Sequence, residues 1–192
     1  KDITLSSTLG NGIEAAGATG WVVDGVTVTK TGSDGIVLNG TGNTVRNTTV
    51  TDSGRGGIVA SGGDRASLTS SKNVVESSTV RRTGRVQRQY TPGISAWGVG
   101  TTIRNNTLED MPNQAINFGG NNHVVENNEI VRVQNKSADA GAIYTGRDWS
   151  WGGTVIRNNH IHDVTGYADK AGMGVTGIYL DDVQATLDAL ER

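Results

Sequence analysis

Two stretches 22 residues apart, Ile103-Arg104-Asn105-Asn106-Thr107-Leu108 and Val125-Glu126-Asn127-Asn128-Glu129-Ile130, spell one pattern: apolar, charged, polar, polar, any, apolar. The pattern recurs at Val45-Arg46-Asn47-Thr48-Thr49-Val50, Val75-Glu76-Ser77-Ser78-Thr79-Val80 and Ile156-Arg157-Asn158-Asn159-His160-Ile161, with a degenerate copy at Val23-Asp24-Gly25-Val26-Thr27-Val28. A second unit begins with Ile after a Gly or Ala: Ile13-Glu14-Ala15, Ile36-Val37-Leu38, Ile58-Val59-Ala60, Ile94-Ser95-Ala96, Ile116-Asn117-Phe118, Ile143-Tyr144-Thr145 and Ile178-Tyr179-Leu180. Successive Ile starts lie 23, 22, 36, 22, 27 and 35 residues apart, so a basic coil of 22 is interrupted by insertions. Internal repetition of this kind takes precedence over single-element assignments.

Each unit is too short to fold alone, and its apolar positions alternate as in a strand with one buried face. Stacking one coil on the next pairs every strand in parallel at ~4.8 Å and aligns like residues into internal ladders of Ile, Val and Leu. Parallel strands usually require helical crossovers, but the nine-residue gap from Ile36 to Val45 has no room for one. The fold predicted is therefore all-β: a right-handed, single-stranded parallel β-helix, one domain over residues 1–192. Asn47, Ser77, Asn105, Asn127 and Asn158 fall at one place in successive coils and are expected to form an asparagine ladder that satisfies buried backbone groups. Arg46, Glu76, Arg104, Glu126 and Arg157 read as outward charges that alternate in sign along the stack.

Composition agrees. Gly numbers 28 and Pro 2, and hydrophobic residues make up 34%, which suits short strands and tight turns rather than a helical bundle. A net charge of -2 offers no basic surplus for phosphates, so no nucleic-acid partner is expected. No stretch approaches a membrane span, so no membrane partner is expected either, and Lys1-Asp2-Ile3-Thr4 does not begin a secretory leader. Cysteine is absent, which removes disulfides, thiolate nucleophiles and thiolate metal sites. Oligomeric state is not legible.

The open ends of a solenoid need covering. Residues 182–192 carry Val183, Thr186, Leu187 and Leu190 at helical spacing behind Asp182 as N-cap, and a short capping α-helix is expected there. Insertions fall at Ser61 to Asn73, Arg82 to Pro92, Val131 to Asp139, Thr145 to Gly153 and Thr165 to Gly174, all beyond residue 60, where loops can carry function on a rigid frame.

Eight of nine aromatic residues lie at or after Tyr90. Tyr144 and Tyr179 occupy the outward position of adjacent Ile-type strands, while Trp97, Trp149 and Trp151 follow such strands, so a patch suited to stacking on sugar rings is expected. Acids converge there too. Counted from the Ile of each strand, Asp148 stands at offset 5, and Asp181 and Asp182 at offsets 3 and 4 one coil later, with Arg147 at offset 4 and Asp139 on the turn that enters the same strand. One coil spacing would leave these carboxylates roughly 5 to 9 Å apart, the range of paired glycosidase acids. Such crowding would split their pKa values into an acid and a base. The bland alternatives are an Arg147–Asp148 salt bridge and a capping Asp182. Oxygen ligands of this kind would suit Ca²⁺, but no dedicated loop motif is present and no cofactor is expected. His160 and His162 alternate outward on a strand and His123 begins the equivalent strand one coil earlier; without an HExxH pattern, no metal site is expected.

From Gly62-Gly63-Asp64-Arg65 through Tyr90-Thr91-Pro92-Gly93, Gly119-Gly120-Asn121-Asn122-His123, the run Asp139-Ala140-Gly141-Ala142-Ile143-Tyr144-Thr145-Gly146-Arg147-Asp148-Trp149 and Ile178-Tyr179-Leu180-Asp181-Asp182, the chain resembles a bacterial family of right-handed parallel β-helix proteins that overlaps glycoside hydrolases. The resemblance implies cleavage of an extracellular or periplasmic polysaccharide, with Asp139, Asp148, Asp181 and Asp182 as the acids. Such proteins continue into further coils, which makes a trimmed or engineered stack an expectation as well. Three functions follow: a glycoside hydrolase whose subsites are Tyr144, Tyr179, Trp97, Trp149 and Trp151 with Arg147 orienting substrate, a catalytically silent scaffold, and a glycan-binding module.

Overall fold

The computed structural model describes residues 2–166, 172–182 and 189–191, the last as backbone. These residues form three seven-stranded parallel sheets that run the length of the stack, and every strand pairs with its equivalents one coil away. The described residues contain strands and turns and no helix. The architecture is the parallel β-helix that the repeat demands, wound right-handed as parallel crossovers between twisted strands are.

The two sequence units unfold into three strands per coil. The Ile unit supplies one sheet, the Ile sheet, with strands such as Ile94–Val99, Ile116–Asn121 and Ala140–Thr145. The second unit is not one strand but two, split at its central polar pair. Thr102–Arg104 and Val124–Glu126 join a charged sheet, while Thr107–Glu109 and Glu129–Val131 join a threonine sheet, named for its outward Thr27, Thr49, Thr79 and Thr107. The corner between them is made by Asn47, Ser77, Asn105, Asn127 and Asn158, all with φ between 48° and 55°. Asparagine tolerates this left-handed conformation better than most residues because its short amide compensates locally.

That corner corrects the ladder by one position. The side chains that accept a backbone N–H from the coil before are Thr48, Ser78, Asn106, Asn128 and Asn159, at 3.0 to 3.4 Å. The first polar residue of each pair bends the chain and the second satisfies it. A second ladder runs at the entry to the charged sheet, where Asn43 accepts from Trp21 N–H and Asn73 from Asn43 N–H, and His123 later takes the place of an asparagine by accepting from Thr101 N–H.

The core is the expected set of vertical columns. Ile36, Ile58, Ile94, Ile116 and Ile143 stack in register along the Ile sheet, facing Val45, Val75, Ile103, Val125 and Ile156 from the charged sheet and Val28, Val50, Val80, Leu108 and Ile130 from the threonine sheet, all buried. Outside, Arg46 pairs with Asp24, Arg104 with Glu76 and Arg157 with Glu126, each arginine reaching back one coil.

The C-terminal helix is overturned where it can be seen. Ala189–Glu191 is a strand that pairs with Val155–Arg157, with Leu190 opposite Ile156 and Glu191 opposite Arg157. Its Ala-Leu-Glu repeats the apolar-then-charged pattern of the charged sheet, and an exposed ladder of N–H and C=O groups rewards one more strand more directly than a helix laid across it. Residues 183–188 of the expected helix lie outside the described residues.

Candidate functional site

Outward residues one position after each Ile form a column: Val59, Ser95, Asn117, Tyr144 and Tyr179, paired strand by strand. The first four floor a groove of about 440 Å³ on the Ile sheet. Its walls come from the turns on either side. Asp34, Arg55, Tyr90 and Pro92 stand where the chain enters the strands, and Trp97, Gly146, Arg147 and Trp151 where it leaves. Trp97 and Trp151 meet edge to face, with ring centroids 5.7 Å apart, and the Trp97 Nε1–H donates to Ser95 Oγ at 2.8 Å. Gly119 lies beneath both rings. A Cβ there would come within 2.3 Å of Trp97 and 2.7 Å of Trp151, so the aromatic wall requires glycine at that point.

The loop that carries Trp151 is fixed from a distance. Arg65, on the insertion between the strands Ile58–Ser61 and Val74–Glu76, donates to Ser150 Oγ at 2.6 Å and to Asn121 Oδ1 at 3.2 Å, and approaches Asp148 at 3.5 Å. Ser150 in turn donates its N–H to Asp148 Oδ1 at 2.9 Å. These donors, Ser150 first and Arg65 after it, hold the Asp148 carboxyl below its ordinary value.

Behind the groove floor sits a closed cluster. Asp181 is 5% exposed. It accepts from the Tyr144 hydroxyl, from Arg147 Nε at 2.6 Å and from the Asp182 amide at 2.8 Å. Burial alone would raise the Asp181 carboxyl, but these three donors together keep it below the ordinary carboxylate value. Burial and the neighbouring Asp181 push the Tyr144 hydroxyl up to about 12, and Asp181 raises the Arg147 guanidinium still higher than usual. Tyr144 and Arg147 therefore keep their protons, and Asp181 keeps its charge. The turns themselves stack: Asp181 N–H bonds to Thr145 O at 2.9 Å and Arg147 N–H to Asp182 O at 2.7 Å. Gly146 makes this possible, since a Cβ at its φ of 151° would meet Asp181 Cβ at 2.6 Å.

The residues expected from sequence thus separate into groups. Trp97, Trp151, Tyr144 and Arg147 line the groove. Asp148 follows Arg147 on a turn that stacks on the turn of Asp182, and neither aspartate is among the residues that line the groove. Asp181 is enclosed behind Tyr144. Tyr179 meets Tyr144 edge to face at 5.7 Å and donates to Asp139 at 3.0 Å, which raises its own hydroxyl. Trp149 is 73% exposed and is not among the residues that line the groove. Among the described residues the one hydrogen bond between two of the four aspartates runs from the Asp182 backbone amide to Asp181 Oδ1; Arg147 salt-bridges Asp181 rather than Asp148, whose arginine is Arg65. Sequence reasoning missed Arg65, Arg55, Asp34, Asn117 and Ser95. The last two were within reach, because they share the outward column of Tyr144.

On the threonine sheet a second polar group forms. Glu129 accepts from His160 Nδ1 at 2.9 Å and His162 Nε2 at 2.7 Å, and His162 Nδ1 contacts Asp163 at 2.9 Å. Glu129 and then Asp163 raise the His162 imidazole, while the two histidines lower Glu129.

Among curated proteins none matches this sequence. Among solved structures, the crystal structure of alginate lyase from Paenibacillus sp. str. FPU-7 superposes with a TM-score of 0.51 at 15% identity, covering 98% of this chain and 79% of that one, a likeness of fold. The description "Right handed beta helix region" fits residues 1–86 and 92–186, which between them carry every strand described above except Ala189–Glu191, and the chain belongs to that family.

Proposed function

We propose that this chain is a carbohydrate-active protein that cleaves a polysaccharide lying in the groove of the Ile sheet. The observation that carries the reading is the meeting of the Trp97 and Trp151 rings beside a floor of Ser95, Asn117 and Tyr144, in a groove that Arg55 and Arg147 also line. Aromatic walls with few polar groups suit the faces of sugar rings, and a groove that follows the stack suits an extended chain. The alginate lyase that shares the fold acts, by its name, on an acidic polysaccharide. Arg55 and Arg147 line the groove here and would meet a sugar carboxylate with guanidinium groups, a geometry well matched to carboxylates.

For the chemistry we favour hydrolysis. Asp148, held ionised by Ser150 and Arg65, would serve as base or nucleophile, and Asp182 on the adjacent turn would protonate the leaving oxygen. Asp181 is a positioning residue in this scheme: it fixes the Tyr144 hydroxyl and the Arg147 guanidinium against the groove. A binding module without turnover is the second reading. It is favoured by the arginine that accompanies each of Asp148 and Asp181.

A panel of uronate-rich and neutral polysaccharides tests both, with reducing ends and ultraviolet absorbance of unsaturated sugars measured together. Hydrolysis predicts reducing ends without absorbance, lost by about 10²-fold or more in Asp148→Asn and Asp182→Asn while glycan retardation on an affinity gel persists. Turnover unchanged in both variants removes the aspartates from the reaction. Absorbing products assign elimination instead, and retardation without products assigns the binding module.

A further inference from the structure

The outward column of the threonine sheet reads Thr27, Thr49, Thr79, Thr107 and then Glu129 and His160, each paired with the next. A β-branched hydroxyl suits an exposed strand position, and nothing in the stacking of the coils calls for a carboxylate and an imidazole there. His162 stands two residues beyond His160, on the same face, with the partly buried Ile161, which packs against the core, between them. Their rings lean together until the centroids are 4.6 Å apart. The Glu129 carboxylate faces both, one oxygen to each ring. We propose that Glu129, His160 and His162 form a binding site for a divalent transition metal, with zinc the ion best suited to it.

Three observations support this. The donor atoms of the three residues lie within 4.8 Å of one another, and two of the separations are 2.9 and 2.7 Å. A tetrahedral ion with bonds of about 2.0–2.2 Å places its ligand atoms roughly 3.3 Å apart, so small rotations of exposed side chains accommodate it. The donor set is two imidazoles and one carboxylate, which favours zinc, nickel or copper over calcium and magnesium, whose ligands are oxygens. Finally, Asp163 holds His162 Nδ1 at 2.9 Å, which directs Nε2 toward Glu129; a carboxylate behind the far nitrogen is the usual support of a metal-bound histidine.

The three ligands leave a fourth position that opens to solvent, because His160 is exposed. They also span two coils. An ion held there ties the strand Glu129–Val131 to His160–His162 and so clamps the C-terminal rungs across the ladder. The threonine sheet is a different face from the groove, and the inference does not depend on the glycan reading.

The test is calorimetric titration of the tag-free protein with zinc chloride, alongside thermal melts with and without the ion. One zinc per chain and a melting temperature that rises with zinc are expected. In the double variant His160→Ala/His162→Ala, both should disappear. Asp163→Asn should bind about 10- to 100-fold more weakly, because it removes only the support. Absence of binding in the wild-type protein overturns the site, as does equal binding in the double variant. Circular dichroism establishes that the variants fold, and Glu129→Gln, which keeps the volume of the side chain, supplies the same comparison should the double variant fail to do so.

Discussion

His123 has no exposed surface, and its ring lies 5.7 Å from that of Phe118. Its Nδ1 accepts the Thr101 N–H, so the remaining proton sits on Nε2, directed at Gly119 O. Burial lowers the imidazole to about 4 from an ordinary 6.5, which means that the unfolded chain takes up a proton before the folded one does. Stability contributed by this residue is complete above the unfolded value, falls as pH drops below it, and stops falling once the folded value is passed. The loss amounts to about 3 kcal/mol across that window. Denaturant titrations at neutral pH and near the folded value should show it, and His123→Asn, which restores the residue type used elsewhere in that ladder, should remove most of the difference. A difference that persists in the variant would place the acid sensitivity elsewhere.

At the scale of the element, the corner between the charged and threonine sheets divides labour between two neighbouring polar residues. Asn127 takes the left-handed conformation, while Asn128 accepts the Asn106 N–H and donates to Ile103 O, both at 3.0 Å. Asn128→Ala leaves buried backbone groups unpaired and should cost about 1–3 kcal/mol. Asn127→Gly should be close to neutral, because glycine enters that region without strain. Chemical denaturation of the two variants separates the roles, and equal losses would contradict them. The pair was legible in the sequence but its order was not: Asn105 and Asn106 are alike in chemistry and differ only in backbone angle. The same ambiguity misled the reading of the last residues. Leu187 and Leu190 satisfy a helical period, yet Ala189-Leu190-Glu191 also satisfies the strand pattern of Val155-Ile156-Arg157, and backbone pairing decides between them.

For the whole molecule, the coils were legible because stacking forces like residues into like places, so Ile94, Ile116 and Ile143 could be aligned before any coordinate was known. The pairing of Tyr144 with Tyr179 follows from the same stacking, whereas the expected patch also held Trp149 and Tyr179, which are not among the groove residues. What periodicity does not encode is where insertions fold back. Arg65 and Ser150 meet across 85 residues, a separation of several coils, and that contact fixes the loop of Asp148 and Trp151. The acids were therefore found without their partners.

The outward arginines carry a consequence of their own. Arg104 holds Glu76 and Arg157 holds Glu126 on one edge of the stack; Arg82 holds Asp52 and Arg132 holds Asp110 on another. Both edges count in twos. Excising residues 94–115 removes an odd rung and sets Glu76 against Glu126 and Arg82 against Arg132, a penalty of about 0.2–1 kcal/mol for each clash. Excising residues 94–142 removes an even number and restores opposite signs at both places. The odd deletion should melt higher as salt is added and the even one should not, because only the former has repulsion to screen. Growth or shrinkage of such a cylinder by duplication would then proceed in double steps, and parity rather than length would decide which shortened forms hold together.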